Sequence, residues 1–187
     1  IEVVGVVDPV LDPDVHGPNG LPVLTDECLS KSYPADRFDL ANGVGMLPGQ
    51  QSRKNAYKRL SDEGYAFPAL VHPRSILAQD AVLVDGVQIM AGATIQHASE
   101  IGCNVIVNTG AQVDHHCRVG DNCHIAPGAI LCGGVILGDD VFVGAGAVII
   151  NNISIGEKAV IGAGAIITRD IPAGVRTITP ISKDVLR

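Results

Sequence analysis

A mainly β chain, wound over most of its length as a parallel β-helix, is the fold class predicted by three features of this sequence. An aliphatic residue recurs every six positions from Leu77 to Ile167, a small residue recurs two positions before each, and Gly, Asn and Asp gather in between. Rings are scarce, with no Trp, three Phe and three Tyr. A core without large rings has to be filled by aliphatic side chains, which suits a narrow interior. Repeats at a fixed short period are the signature of stacked architectures.

The aliphatic series runs Leu77, Leu83, Ile89, Ile95, Ile101, Val107, Val113, Val119, Ile125, Leu131 and on to Ile167 without a slip. The small partners include Ala93, Ala111, Cys117, Cys123 and Ala129. The two positions of a hexad share parity, so on a strand both side chains point the same way, inward. Between one aliphatic residue and the next small one, Gly, Asn and Asp supply turn formers suited to positive φ. A six-residue period does not fit 3.6, which excludes an α-helix. Three hexads close one triangular coil. The series therefore makes about five coils, stacked about 4.8 Å apart into a prism roughly 25 Å tall.

The first 74 residues lack the hexad pattern. IEVVGVVD (1–8) reads as a buried strand ending on Asp8, with further strands at 21–24 and 38–42. GQQSRKNAYKRLSDEG (49–64) reads as a helix with Ala56, Tyr57 and Leu60 on one face and Gly64 as its stop. Alternating strands and helix predict a small α/β domain over 1–74, followed by the β-helix and a C-terminal tail over 75–187. The chain lacks an initiating Met, and its first strand reads as the second of such a domain, so an opening strand and helix are expected before it. The domain is either a cap over the open end of the prism or a holder for a nucleotide. For the latter, Asp8 and the Asn42-Gly43-Val44-Gly45 loop sit at strand ends, where ligands bind in α/β folds.

A net charge of −7 argues against nucleic acid and against an anionic membrane surface. No apolar run is long enough to span a bilayer. Five Cys without a CxxC pair predict reduced thiols and a cytoplasmic protein.

Chemistry concentrates in NTGAQVDHHCRVGDNCHIAPGAILCGG (108–134). With eighteen residues per coil, His97 lies below His115, Gly133 lies above it, and Gly134 lies above His116. A His pair then sits under a corner stripped of side chains, where a slim ligand arm fits and backbone N–H groups can meet an acyl oxygen. His titrating near neutrality suits the role of general base. The plainer reading of His115, His97 and His124 is that of polar residues on a turn or face with no chemical role. His124 is half a coil from His115, so the two can share a site only across a subunit interface. Cys117 and Cys123 fall in the inward small slot and read as core. Nothing beside Cys132 marks it as a nucleophile.

These motifs carry a resemblance. NTGAQVDHHC, CHIAPGA and LCGGVILG look like the hexapeptide-repeat sugar acetyltransferases, the family of bacillosamine and perosamine N-acetyltransferases and sialic acid O-acetyltransferases. EVVGVVD, NGVG, RKNAYKRL and FPALVHP are similar to its N-terminal domain. The resemblance implies a left-handed β-helix after a truncated Rossmann-like domain, a homotrimer, and acetyl-CoA as co-substrate. By position, it makes His115 the general base, with Asp114 and His116 beside it. It puts His124 near the thioester, and Gly133, next to Gly134, as a backbone donor to the acetyl carbonyl. It puts Asn108 at the sugar, and Asp8 with Asn42 and Gly43 near the nucleotide.

Three positions depart from the family pattern. His116 replaces the usual acidic residue after the base, the opening glycine-rich turn is absent, and TITPISKDVLR lacks the usual Gly-x-Pro-Ala-Lys segment. Lys158, Arg169 and Lys183 are candidate phosphate partners. Related prisms include zinc carbonic anhydrases, but the His spacing here does not repeat theirs, so no metal is expected. The expected activity is N-acetylation of a UDP- or GDP-linked amino sugar. The alternatives are O-acetylation of sialic acid or a related sugar, and a non-catalytic trimeric sugar-binding scaffold.

Overall fold

The computed structural model describes residues 2–8 and 17–178. Lys183 lies outside the described residues, as does most of the C-terminal segment. From Leu70 to Arg176 the chain is a left-handed parallel β-helix of two-residue strands. Strands recurring every eighteen residues from Leu70–Val71 to Val160–Ile161 make a first face of six. Those from Ile76–Leu77 to Ile166–Ile167 make a second face of six, and those from Val82–Leu83 to Ser154–Ile155 make a third of five. Pairing is parallel throughout, as in Gln112 with Ile130 and Val113 with Leu131.

The inward residues are those that the periodicity named. Val113, Leu131, Ile149, Ala111, Ala129, Cys117 and Cys123 are wholly buried. Each hexad turns through one residue in the left-handed region. From Gly86 to Gly164 every sixth residue has positive φ, and the series includes Asn104, His116, Asn122, Asp140 and Asn152. Side-chain carboxylates tie successive coils at one corner. Asp121 Oδ1 accepts the Cys103 N–H at 2.7 Å, and Asp139 Oδ1 accepts the Asp121 N–H at 2.9 Å. The ladder begins one hexad earlier than Leu77, with Val71 in the aliphatic slot. It ends on bridges that pair Ile155 with Ile171 and Val160 with Arg176, so the last coil is two residues short.

Before the prism, β1 (Val6–Val7) pairs in parallel with β2 (Val23–Leu24). Helix α1 (Asp26–Ser32), which the sequence reading did not anticipate, starts where Thr25 Oγ1 accepts the Cys28 N–H at 3.2 Å. Asp26 and Glu27 in its first turn and Lys31 in its last complement the helix dipole. The expected helix is present as α2 (Ser52–Asp62), with Leu60 buried and Ala56 and Tyr57 half-buried. Leu29, Leu60, Tyr65 and Phe67 form a second small core.

The strand expected at 38–42 is absent. That segment joins no ladder, because Leu40 bonds to Ala66 O and Asn42 is pulled toward α2 and the prism. The loop after Asn42 lies over the first face and is held from below by a buried guanidinium. Arg53 Nη1 donates to Asn42 O at 2.6 Å and to Val44 O at 2.9 Å, and its Nε donates to Asn104 O at 3.4 Å.

Candidate active site

His115 and His116 are the two turn residues at the corner joining the second face to the third. Asp114 shapes that turn through the backbone, since its Oδ1 accepts the His115 N–H at 2.8 Å. One oxygen of the carboxylate is thus taken up by the main chain. The imidazole finds its partner in the next residue, with His115 Nδ1 3.0 Å from His116 Nδ1. Both rings are exposed. One coil below, His97 meets the His116 ring edge-to-face at 4.7 Å between centroids and stands 6.3 Å from the His115 ring. Its Nδ1 is 3.4 Å from Asp80 Oδ2, which also accepts the Ala98 N–H at 3.2 Å.

One coil above, Gly133 forms the roof. A β-carbon there would come 2.5 Å from His115 Cε1 and 2.7 Å from Nε2, so the ring occupies the space that a side chain would take. The Gly133 N–H makes no hydrogen bond among the described residues. That of Gly134 is used in stacking, donating to His115 O at 2.9 Å. Gly134 has φ +71, and Asn152 Oδ1 lies over it. His115, His116, Asp114, Gly133 and Gly134 are therefore brought together, with a ring nitrogen and a backbone donor at an open corner.

His124 lies elsewhere. It is on the first face, opposite that corner, under the loop that follows Asn42. Its Nδ1 bonds Met46 O at 3.2 Å, and its Nε2 bonds Asn108 Nδ2 at 3.2 Å. Those partners assign the neutral tautomer with hydrogen on Nδ1. Burial lowers its pKa from the ordinary value, and nearby Arg53 adds to this against the Met46 bond. Phe142 packs on the ring edge at 5.0 Å. Asn108 is engaged twice, its Oδ1 also accepting the Thr109 N–H. Within one chain, then, the two His groups face away from each other.

The N-terminal candidates divide in the same way. Asn42 is a structural knot. Its Nδ2 donates to Arg53 O and to Asn104 Oδ1, and its Oδ1 accepts the Val44 N–H. Gly43 is exposed with open space around it. Asp8 is half-buried where β1 ends. Lys158 and Arg169 are exposed.

The sequence reading missed Arg53, which anchors the loop over the first face. It lies in a run of basic and polar residues that reads as solvated, and its burial depends on carbonyls of a distant loop. It also missed Lys54, whose Nζ contacts both oxygens of Asp140 at 2.8 and 2.7 Å, tying α2 to a prism corner.

Residues 98–133 and 134–169 match the bacterial transferase hexapeptide family (six repeats). No curated protein sequence matches the chain significantly. Among solved structures, PerB from Caulobacter crescentus, in complex with CoA and GDP-perosamine, superposes with a TM-score of 0.83. It is 34% identical, over 94% of this chain and 81% of that one. The acetyltransferase domain of PglB from Neisseria gonorrhoeae, in complex with acetyl coenzyme A, gives a TM-score of 0.83. It is 32% identical, over 94% of this chain and 82% of that one. A GDP-perosamine N-acetyltransferase from Caulobacter crescentus carrying a histidine-to-alanine mutation, also with CoA and GDP-perosamine, is 34% identical over 86% of this chain and 75% of that one, with a TM-score of 0.79. With more than 30% identity over 94% of its length to these acetyltransferases, and with the hexapeptide family matched over 98–169, the chain belongs to the hexapeptide-repeat sugar acetyltransferases.

Proposed function

We propose that the protein transfers the acetyl group of acetyl-CoA to the amine of a nucleotide-linked amino sugar, with His115 as general base. The observation that carries this reading is the exposed His115 ring lodged against Gly133, one nitrogen held by a neighbour and the other free for a proton. In the step, the sugar nitrogen attacks the thioester carbonyl and the C–N bond forms. His115 Nε2 takes the proton that the nitrogen sheds. The C–S bond then breaks, and the departing CoA sulfur takes that proton from His115, so CoA leaves as the thiol and the imidazole returns to its neutral form. The unengaged Gly133 N–H suits the oxyanion of the tetrahedral intermediate. Asp114 serves by fixing the turn. The relatives that bind CoA and GDP-perosamine support both the donor and the acceptor class.

A trimer completes this site. His115 and His124 point to opposite sides of one prism, so only a neighbouring prism brings a His124 toward a His115. The second face offers the surface for it, with Ile76 65% and Ile166 70% exposed. Heterologous contacts between unlike surfaces, closing into a ring, are how cyclic trimers form. In this reading the prism, from Leu70 through the described ladder, holds the coenzyme, with Gly133 and Gly134 lining its path and His124 beneath the loop beside it. The residues before the prism hold the nucleotide through Asp8 and the Gly43 backbone. Asn42 keeps that loop in place, and Asn108 meets the sugar. The five thiols, all unpaired, suit a reducing cytoplasm. Among the described residues no helix is long and apolar enough to cross a membrane.

The reading is tested by following thiol release from acetyl-CoA with UDP- and GDP-linked amino sugars set against free sialic acid. Turnover with one nucleotide amino sugar supports it and names the nucleotide. Turnover only with sialic acid replaces it by O-acetylation. Coenzyme binding with no turnover on any acceptor makes the protein a binding scaffold.

A further inference from the structure

We propose that His116 is the positioning residue of the base, holding His115 through a shared proton between two imidazoles. This deepens the reading of His115 as base and rests on it. A contact of 3.0 Å between two Nδ1 atoms requires one hydrogen and one lone pair. If His115 carries the hydrogen and His116 accepts it, His115 Nε2 has a free lone pair and can take the proton of the acceptor amine. If His116 carries it, the His115 hydrogen moves to Nε2 and the base is blocked. A carboxylate in that place accepts only, whereas an imidazole does either. The competence of the site therefore depends on the tautomer of a residue that never touches substrate.

The fold presents His116 for this role. It occupies the left-handed turn position, φ 59, which swings its ring back toward that of the preceding residue instead of away from it, as successive strand residues would point. His97 supports it edge-to-face from the coil below and is in turn held by Asp80. The titratable and charged groups around it are His115 and Asp114 on its own coil and His97 and Asp80 below, with Arg118 and Glu100 on the adjoining strands of the third face. Gly134 and Asn152 stand above without charge, with Cys132 beside Gly133. When His115 takes the proton, the positive charge rests on a pair with no carboxylate bonded to either ring among the described residues. An anionic partner would favour that charged form and raise the pH at which the base is lost.

The turn itself allows a clean test, because the equivalent corner positions hold Asn122, Asn152, Asp140, Gly134 and Gly128, all at positive φ. H116G, H116N and H116D therefore keep the turn. In H116G we expect kcat to fall about 10- to 100-fold, with KM for acetyl-CoA and for the acceptor unchanged and the melting temperature kept. H116D should recover much of that loss, with the acid limb of kcat/KM moved up by about one pH unit from wild type. Wild-type kcat and pH profile in H116G would overturn the proposal and leave His116 as a turn residue. A loss expressed as a raised KM for acetyl-CoA would also overturn it and make His116 part of the coenzyme surface. H115A separates the two levels. An active H115A ends the base reading itself, whereas an inactive H115A beside a wild-type H116G ends only the positioning role.

Discussion

Gly133 stands one coil above His115, so close that a β-carbon there would lie 2.5 Å from the imidazole. The glycine is needed for the ring's space. Its φ is not in the left-handed region, unlike that of Gly134. Gly133→Ala should therefore fold normally but push the ring off His116 Nδ1. Misplacement of this size costs about 10- to 100-fold in kcat. Gly134→Ala strains the turn and meets Asn152 Oδ1, so it should lower the melting temperature instead. Steady-state kinetics and thermal melts of the two variants check the contrast.

The loop over the first face depends on Arg53. The guanidinium is 2% exposed and supplies the donors to Asn42 O, Val44 O and Asn104 O, and burial lowers its pKa to about 10. Arg53→Met strands those carbonyls, with an expected loss of about 3 kcal/mol. Lys54→Met removes the pair with Asp140, which is partly open to solvent, and should cost about 1 kcal/mol or less. Urea denaturation of both variants tests the order, and equal losses would contradict it.

Most of the prism was legible because its period is strict: a hexad places Val113 and Leu131 inward whatever surrounds them. The extra rung at Leu70–Val71 was hidden by Pro73 and by the change of composition around it. Helix α1 carried its signals in Thr25, Asp26 and Lys31, but they occupy only seven residues. At the site, stacking of His97, His115 and Gly133 followed from eighteen-residue arithmetic. The contact between His115 and His116 did not, since residue parity predicts divergence and only the left-handed turn at 116 reverses it. The burial of His124 was illegible because a loop some eighty residues away covers it.

His124 gives a pH signature. Its folded-state pKa is lowered, chiefly by burial, so below about 6.5 the unfolded chain binds a proton that the fold refuses. Its contribution is fully present above that pH and is lost as pH falls toward the folded pKa. The urea midpoint should drop with acid through this window, and less steeply in His124→Gln. Parallel curves for the two proteins would contradict the burial of that ring.

Thiol labelling checks the core. Burial pushes the Cys117 thiol up to about 11 and that of Cys123 up to about 12. At neutral pH iodoacetamide should modify exposed Cys28 and spare both until the chain is unfolded. Prompt native-state labelling of Cys117 or Cys123 would be incompatible with their inward placement.

The most direct measurement is the rate of CoA release with a nucleotide-linked amino sugar, compared between the wild type and His115→Ala across pH. Release that requires the amine and falls about 10²- to 10⁴-fold in the variant, with acetyl-CoA still bound, is the expected result. Equal rates in the two proteins would contradict the assignment of His115 as the base.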